Sequence, residues 1–336
     1  MHAARLALKA LRTRFWDQRP FILSHLITAR CNADCVTCLW KMPASARTNE
    51  LTTAEIAALY EDAAGAGFLE LVLWGGEPMV RPDCGEALRA ARGCGLGTTL
   101  ITNGWWLDER AGEVLPWTQR LLVSVDGLGA AHDEIRRCPG LFARLDKGLL
   151  RAKERYPDVR IVIISVISKR NLGEIERIAA YGRERGAQVV FQPMNVTDYG
   201  FAGRAIDLAR ILPGAEEEAR AASSIAELRQ QGYPVRDSSI YLRHLGERAW
   251  HYRCHYKKVL LRVEPGGEVL DCTRTAAPLA NVRQESLADF TASRAFRSFE
   301  KRAEECNRCR DAGVIELSHL WEGRPESFRN ALAMLG

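Results

Sequence analysis

Cys31, Cys35 and Cys38 fall within eight residues in the spacing CxxxCxxC. Thiolates this close on one loop can grip three corners of a cubane iron–sulfur cluster, whose irons are held by cysteine sulfur. No fourth cysteine stands beside them, so one iron keeps a coordination position for a chelating substrate. A fully ligated cluster would only pass electrons. The alternative is structural zinc, which usually closes four ligands in two CxxC-like pairs. A second set comprises Cys254, Cys272 and the pair Cys306-Asn307-Arg308-Cys309. Two β-like runs, Lys258–Val263 and Glu268–Leu270, surround a Pro265-Gly266-Gly267 turn and read as a hairpin that brings Cys254 and Cys272 together. With the CxxC these make a closed four-thiol site, for zinc or for a cluster.

The elements that must position these thiols alternate along the chain. Apolar, β-branched-rich runs stand at Ile22–Ile27, Phe68–Trp74, Thr98–Thr102, Leu121–Val125, Ile161–Ile167 and Val189–Phe191. Such runs suit strands buried on both faces, as in a parallel sheet. Between them lie helical patterns: a Thr52/Glu55 capping box opening a helix that Gly65 and Gly67 end, then Leu141–Arg155 and Asn171–Arg185. Six strands with intervening helices predict right-handed βα units in a partial (β/α)6 barrel, two short of closure, with a wide mouth. In barrels the chemistry sits at the C-terminal strand ends. There stand the first cysteines, Gly75-Gly76-Glu77-Pro78, Thr102-Asn103-Gly104, Ser124-Val125-Asp126-Gly127 and Gln192-Pro193-Met194. The predicted organisation is an N-terminal basic helix over 1–20, the barrel over 21–200, a helical bridge over 201–250 and a small α+β unit over 251–336.

Composition narrows the class. A chain of 336 residues, 47% hydrophobic and 26% charged, is that of a globular protein, and a net charge of +5 gives no reason to expect nucleic acid. Seven of the ten cysteines fall in metal-like groups, which favours a reducing cytoplasmic setting over a disulfide framework. Cys84, Cys94 and Cys138 have no partner at ligand spacing and read as ordinary thiols. No apolar run reaches the roughly eighteen residues of a membrane span. Leu6, Leu8, Leu11 and Phe15 alternate with Arg5, Lys9, Arg12 and Arg14, a basic segment suited to packing on its own domain or to an anionic membrane surface.

With these residues assembled, the chain resembles the radical S-adenosylmethionine (SAM) superfamily, whose signature CxxxCxxC follows the first strand of a partial barrel. Thr37 stands where the family usually has an aromatic or aliphatic residue, and Trp40 is the expected substitute wall. The resemblance implies SAM binding by Gly75, Gly76 and Glu77 of the GGEP motif, by Asn103, Ser124 and Arg136, and by Gln192 and Met194 at the end of the sixth strand. Cys31, Cys35 and Cys38 would hold the first 4Fe–4S cluster. Cys254, Gly267, Cys272, Cys306 and Cys309 resemble the SPASM/twitch group in its shorter form, as in twitch-type aminocyclitol dehydrogenases, with one auxiliary 4Fe–4S cluster. The implied activity is an oxidoreductase or transferase reaction. A reduced cluster cleaves SAM to a 5′-deoxyadenosyl radical that removes a hydrogen atom from the substrate, with a flavodoxin or ferredoxin as electron donor. A small molecule is the favoured substrate. A ribosomal peptide is second, since the thirty residues before Cys31 leave no room for a fused peptide-recognition domain. A lipid is third, and a zinc-binding structural protein is the reading outside enzymes. Tyr241, Arg243 and His244, at the domain junction, are the catalytic candidates, with His251 and His255 as further bases. Trp105 and Trp106 are candidates for the cavity wall.

Overall fold

The structure, a computed structural model, describes residues 8–9, 12–13, 15, 19–38, 49–194, 196, 207–270, 277–304, 306–327 and 329–330. Trp40, Cys272 and most of the basic N-terminal segment lie outside the described residues. Six parallel strands run in chain order: β1 (Ile22–Thr28), β2 (Glu70–Gly75), β3 (Gly97–Thr102), β4 (Arg120–Ser124), β5 (Arg160–Ile167) and β6 (Gln188–Pro193). The chain is a mixed α/β protein with the open, TIM-like parallel sheet expected.

In-register neighbours in a parallel sheet share a face, and burial tells the faces apart. Leu100, Leu121, Val123, Ile161 and Ile163 are fully or nearly fully buried in the core cluster, beneath the helices. Their alternates Ile101, Leu122, Ser124 and Ile164 are half-buried and line the concave side. The helices cover the convex side with the residues that period 3.6 picks out. Helix α1 (Thr53–Gly65) buries Ile56, Leu59, Tyr60 and Ala63, and its capping box forms with Thr52 and Glu55 as expected. The helix Leu141–Arg155 has the bounds read from the sequence and buries Leu145, Gly148, Leu149 and Ala152. Gly148 belongs there because a Cβ would stand 2.7 Å from that of Leu107.

The second part of the chain does not stand apart from the barrel. Strand β7 (Leu260–Val263) pairs in parallel with β1, and the short antiparallel strands β8 (Glu268–Val269) and β9 (Ala280–Asn281) continue the same sheet. The hairpin expected around Gly266-Gly267 is therefore present, but it extends the barrel sheet beyond β1. At the other edge, residues 234–237 run along β6: Val189 N–H donates to the Pro234 carbonyl, Arg236 N–H donates to Val189, and the Asp237 carboxylate accepts from Phe191 N–H at 2.9 Å. The edge strand is thereby covered by a short parallel bridge at Val189 and Val235 and, one step on, by a side chain. The apolar helix Ala312–Trp321 contacts β6 and the helix Ser239–Glu247, while its Leu317 and Trp321 pack on Phe21 and Val259 at the foot of β1. It bridges the two flanks that the missing strands would have joined.

Candidate active site and second cysteine cluster

The loop of Cys31, Cys35 and Cys38 leaves the C-terminal end of β1 and is held on two sides. On one side, Asp34 and Val36 N–H donate to the carbonyls of Arg136 and Ile135 at 3.3 and 2.9 Å. These carbonyls end the helix Ala130–Arg136, where orphan acceptors are available. On the other side, Asn103 Nδ2 donates to Asn32 Oδ1 at 2.8 Å, and Asn32 Nδ2 reaches Cys138 Sγ at 3.8 Å. Cys138 therefore lies against the loop although its spacing in sequence gave no sign of this. Within the loop, Ala33 N–H points to Cys31 Sγ at 3.4 Å. Cys35 is buried, Cys38 half-buried and Cys31 exposed. Although Cys31 keeps exposed surface, the protein atoms crowding its sulfur shield it from water and push the thiol up to about 12, with the charges of Glu77, Cys35 and Cys38 adding to this against the pull of the Ala33 amide. No trio of His, Cys, Asp or Glu among the described residues closes around a single ion. Three mutually repelling sulfurs are the donor set that a cationic iron–sulfur cluster would relieve.

Arg136 reaches this loop from behind. Its Nη2 pairs with Asp126 at 2.8 Å and its Nη1 lies 3.8 Å from Cys35 Sγ. Against the penalty of burial, Asp126 and then the sulfurs of Cys35 and Cys38 favour the charged guanidinium. The resemblance implied a clamp for the SAM carboxylate. The structure gives two arms of the guanidinium to the protein's own Asp126 and Cys35, and leaves buried Nε as the donor with no partner among the described residues. Asp126 also accepts from Val166 N–H at 2.8 Å, and its own N–H donates to His132 Nδ1.

The GGEP stretch also packs against the end of β1. A Cβ on Gly75 would stand 2.4 Å from the Thr28 carbonyl oxygen, and one on Gly76 would stand 2.2 Å from that of Arg30. Gly76 N–H donates to Thr28 and Glu77 N–H to Arg30. The glycines thus admit the end of β1, immediately before the cysteine loop. Glu77 is fully buried and its carboxylate accepts from Thr102 Oγ1, Asn103 N–H and Met79 N–H at 2.8, 2.7 and 3.1 Å. Burial raises its pKa to about 7 against those three donors. Its oxygens therefore tie β2 to β3. Both ends of the Asn103 amide are likewise engaged, with Asn32 and with Trp105 N–H. Ser124 and Gln192 remain half-exposed on the concave side, beside Ile164 and Val166 in register, while Met194 is buried. Trp105 and Trp106 meet edge-to-face and are half-buried, with the Arg144 guanidinium 4.4 Å over Trp105.

The catalytic candidates do not converge on the mouth. Tyr241 has no exposed surface and donates through Oη to the Arg310 carbonyl at 3.0 Å. His244 is buried against Trp250 and His319, and Arg243 points outward from the same helix. A helical stretch turns every third or fourth residue the same way, so Tyr241 and His244 face inward together and Arg243 cannot join them. In this structure Tyr241 and His244 make packing and scaffold contacts, and Arg243 is exposed. Burial lowers the pKa of His244, with His319 adding to it, and keeps it neutral.

The second thiol set does assemble in part. Cys254 is buried and Cys306 and Cys309 are half-buried. The Tyr252 phenol, which donates to the Cys309 carbonyl at 3.1 Å, is driven far up by burial and then by Cys309, Cys254 and Cys306. One side chain thus lies within electrostatic reach of all three sulfurs, although among the described residues no three such groups close around a single ion. His255 N–H, next to Cys254, donates to Ser318 Oγ in the helix that follows Cys309. Tyr252 and Asn32 had no signature in the sequence, since one tyrosine or asparagine in a loop is unremarkable until its partner is known.

Comparison with known proteins agrees with this geometry. Residues 26–182 match the radical SAM superfamily and residues 254–310 match the SPASM iron–sulfur cluster-binding domain. An AdoMet-dependent heme synthase of Methanosarcina barkeri is 38% identical over 171 residues, half of this chain and 48% of that protein, so the chain spans about half the length of this relative. A PqqA peptide cyclase of Rhizobium meliloti is 28% identical over 86% of this chain and 79% of its own length. Among solved structures, Streptococcus suis SuiB bound to precursor peptide SuiA superposes with a TM-score of 0.66 at 15% identity, over 96% of this chain and 78% of that one. That similarity is one of fold.

Proposed function

We propose, for a chain that belongs to the radical SAM superfamily and carries a SPASM domain, an oxidoreductase reaction on a peptide substrate. The cofactors of this architecture are 4Fe–4S clusters and SAM. Cys31, Cys35 and Cys38 would hold the first cluster, and Cys254, Cys306 and Cys309 with Cys272 the second. Bound together, the first cluster and SAM supply abstraction of a hydrogen atom from an unactivated carbon.

The observation that carries the oxidative reading is the second thiol set. Counted in the sequence, its four cysteines would leave no open ligand position on a cluster, which would suit removal of an electron from the substrate better than binding of the substrate. The chain's own residues do the rest. Arg136, Asn32 and the carbonyls of Ile135 and Arg136 fix the cysteine loop, the Glu77 network fixes the strand ends beside it, and the half-exposed Ser124 and Gln192 offer hydroxyl and amide groups on the concave side. The peptide reading is supported by the PqqA peptide cyclase, similar along most of both chains, and by the fold shared with a peptide-bound structure. A small molecule is the second reading, favoured by the heme synthase, which is more nearly identical over a shorter span.

The test is anaerobic incubation of the reconstituted protein with SAM, a one-electron reductant and either a synthetic peptide panel or a tetrapyrrole. The proposal expects 5′-deoxyadenosine together with a peptide product two mass units lighter. Turnover of the tetrapyrrole with none of the peptides would replace it with the second reading.

A further inference from the structure

Two phenols meet consecutive carbonyls directly after the last cysteine of the chain. Tyr252 Oη donates to the Cys309 carbonyl at 3.1 Å and Tyr241 Oη to the Arg310 carbonyl at 3.0 Å. Both come from one stretch, the helix Ser239–Glu247 and the segment after it, and Trp250 packs between them in sequence with its ring 5.9 Å from Tyr241. The Arg310 guanidinium lies 5.9 Å over the Trp250 ring, so the arginine is held by side chain as well as carbonyl. On the far side, Asp311 caps the helix Ala312–Trp321 by accepting from Val314 N–H, and that helix also receives the His255 N–H beside Cys254. The chain leaving the turn is therefore held at three consecutive residues, Cys309, Arg310 and Asp311.

We propose that Tyr241 and Tyr252 are positioning residues for the second iron–sulfur cluster: by holding the carbonyls of Cys309 and Arg310 they set the direction in which the Cys309 sulfur leaves its loop. The proposal rests on the reading that the SPASM cysteines hold a cluster. Neither phenol is a ligand or touches substrate. Buried tyrosines commonly need one hydrogen-bond partner, and a backbone carbonyl anywhere would serve. Two such partners on adjacent residues, both next to a ligand, make a clamp. The angle at which a thiolate meets iron and the hydrogen bonds around it are among the factors that tune a cluster's potential and spectrum.

The experiment uses the full chain carrying Cys31→Ala, Cys35→Ala and Cys38→Ala, so that only the second site can take a cluster. After anaerobic reconstitution with iron and sulfide this parent is expected to hold about four irons. In Tyr252→Phe and Tyr241→Phe, which keep the rings and lose one hydrogen bond each, a chelator is expected to draw iron out about three- to tenfold faster. The electron paramagnetic resonance spectrum of the reduced cluster is expected to change its g-values in both. Leu88→Ala, fully buried in the helix Cys84–Gly93 of the barrel, should lower the melting temperature while leaving that spectrum unchanged. A parent that takes up iron, with phenylalanine variants matching it in release rate and spectrum, overturns the clamp alone. A parent that takes up no iron overturns the cluster reading and the clamp together.

Discussion

Gly76→Ala separates the two roles open to the GGEP glycines. The added Cβ would lie 2.2 Å from the Arg30 carbonyl oxygen and 2.7 Å from its carbon, where ordinary contact begins near 3.4 Å. The obstacle is backbone, so the Arg30 peptide must withdraw by about 1 Å, as close packing leaves no slack. Two hydrogen bonds lie in its path, Glu77 N–H to Arg30 at 2.9 Å and Gly76 N–H to Thr28 at 2.8 Å. At about 1 kcal/mol each, with distortion added, the substitution should destabilise the cluster-free protein by about 2–4 kcal/mol. The assay is urea denaturation of cluster-free protein without SAM, followed by circular dichroism. Gly93→Ala is the control, because nothing lies within 4 Å of its Cβ and it ends a helix. It should stabilise by up to about 1 kcal/mol. A loss under 1 kcal/mol for Gly76→Ala would refute the argument, and the glycines would then serve the cofactor only.

Stability should also depend on pH through Glu77. Its folded pKa is raised to about 7 by burial, so the unfolded chain releases this proton first as pH rises from about 4.5. The contribution of Glu77 is thus full below pH 4.5 and lost as pH climbs through 7, about 3 kcal/mol in all; Glu77→Gln should flatten that part of the profile in denaturation at pH 5 and pH 8. Asn103→Ala, measured with Asn32→Ala in a double-mutant cycle, should show a coupling of about 1 kcal/mol in cluster-free stability and faster iron release by a chelator. Iron analysis should give about eight irons per chain for the reconstituted protein and about four for Cys31→Ala or Cys309→Ala.

Much of the barrel could be read from composition alone because strands buried on both faces are continuous apolar runs. Those runs locate the six parallel strands of the barrel among the described residues to within a residue or two, with the chemistry expected at their C-terminal ends. The pairing of Leu260–Val263 with β1 could not be read, since a four-residue run with three apolar side chains carries no address for a partner more than two hundred positions away. The cysteines were legible because metal chemistry demands fixed spacing. The neighbours that hold them were not. Glu77 as a buried tie, Arg136 turned toward Asp126, and Tyr241 on the inward face of its helix all depend on which way a side chain points. That direction is decided by tertiary packing. Long-range polar contacts such as Asn32 with Asn103, or Tyr252 with Cys309, leave no periodic trace.

The most direct test of the account is electron paramagnetic resonance of anaerobic, reduced protein before and after SAM is added. An iron left open by Cys31, Cys35 and Cys38 predicts that SAM shifts the signal of one cluster, and that Cys35→Ala abolishes the shift while the signal of the second cluster persists. A spectrum unmoved by SAM in fully reconstituted protein would contradict it.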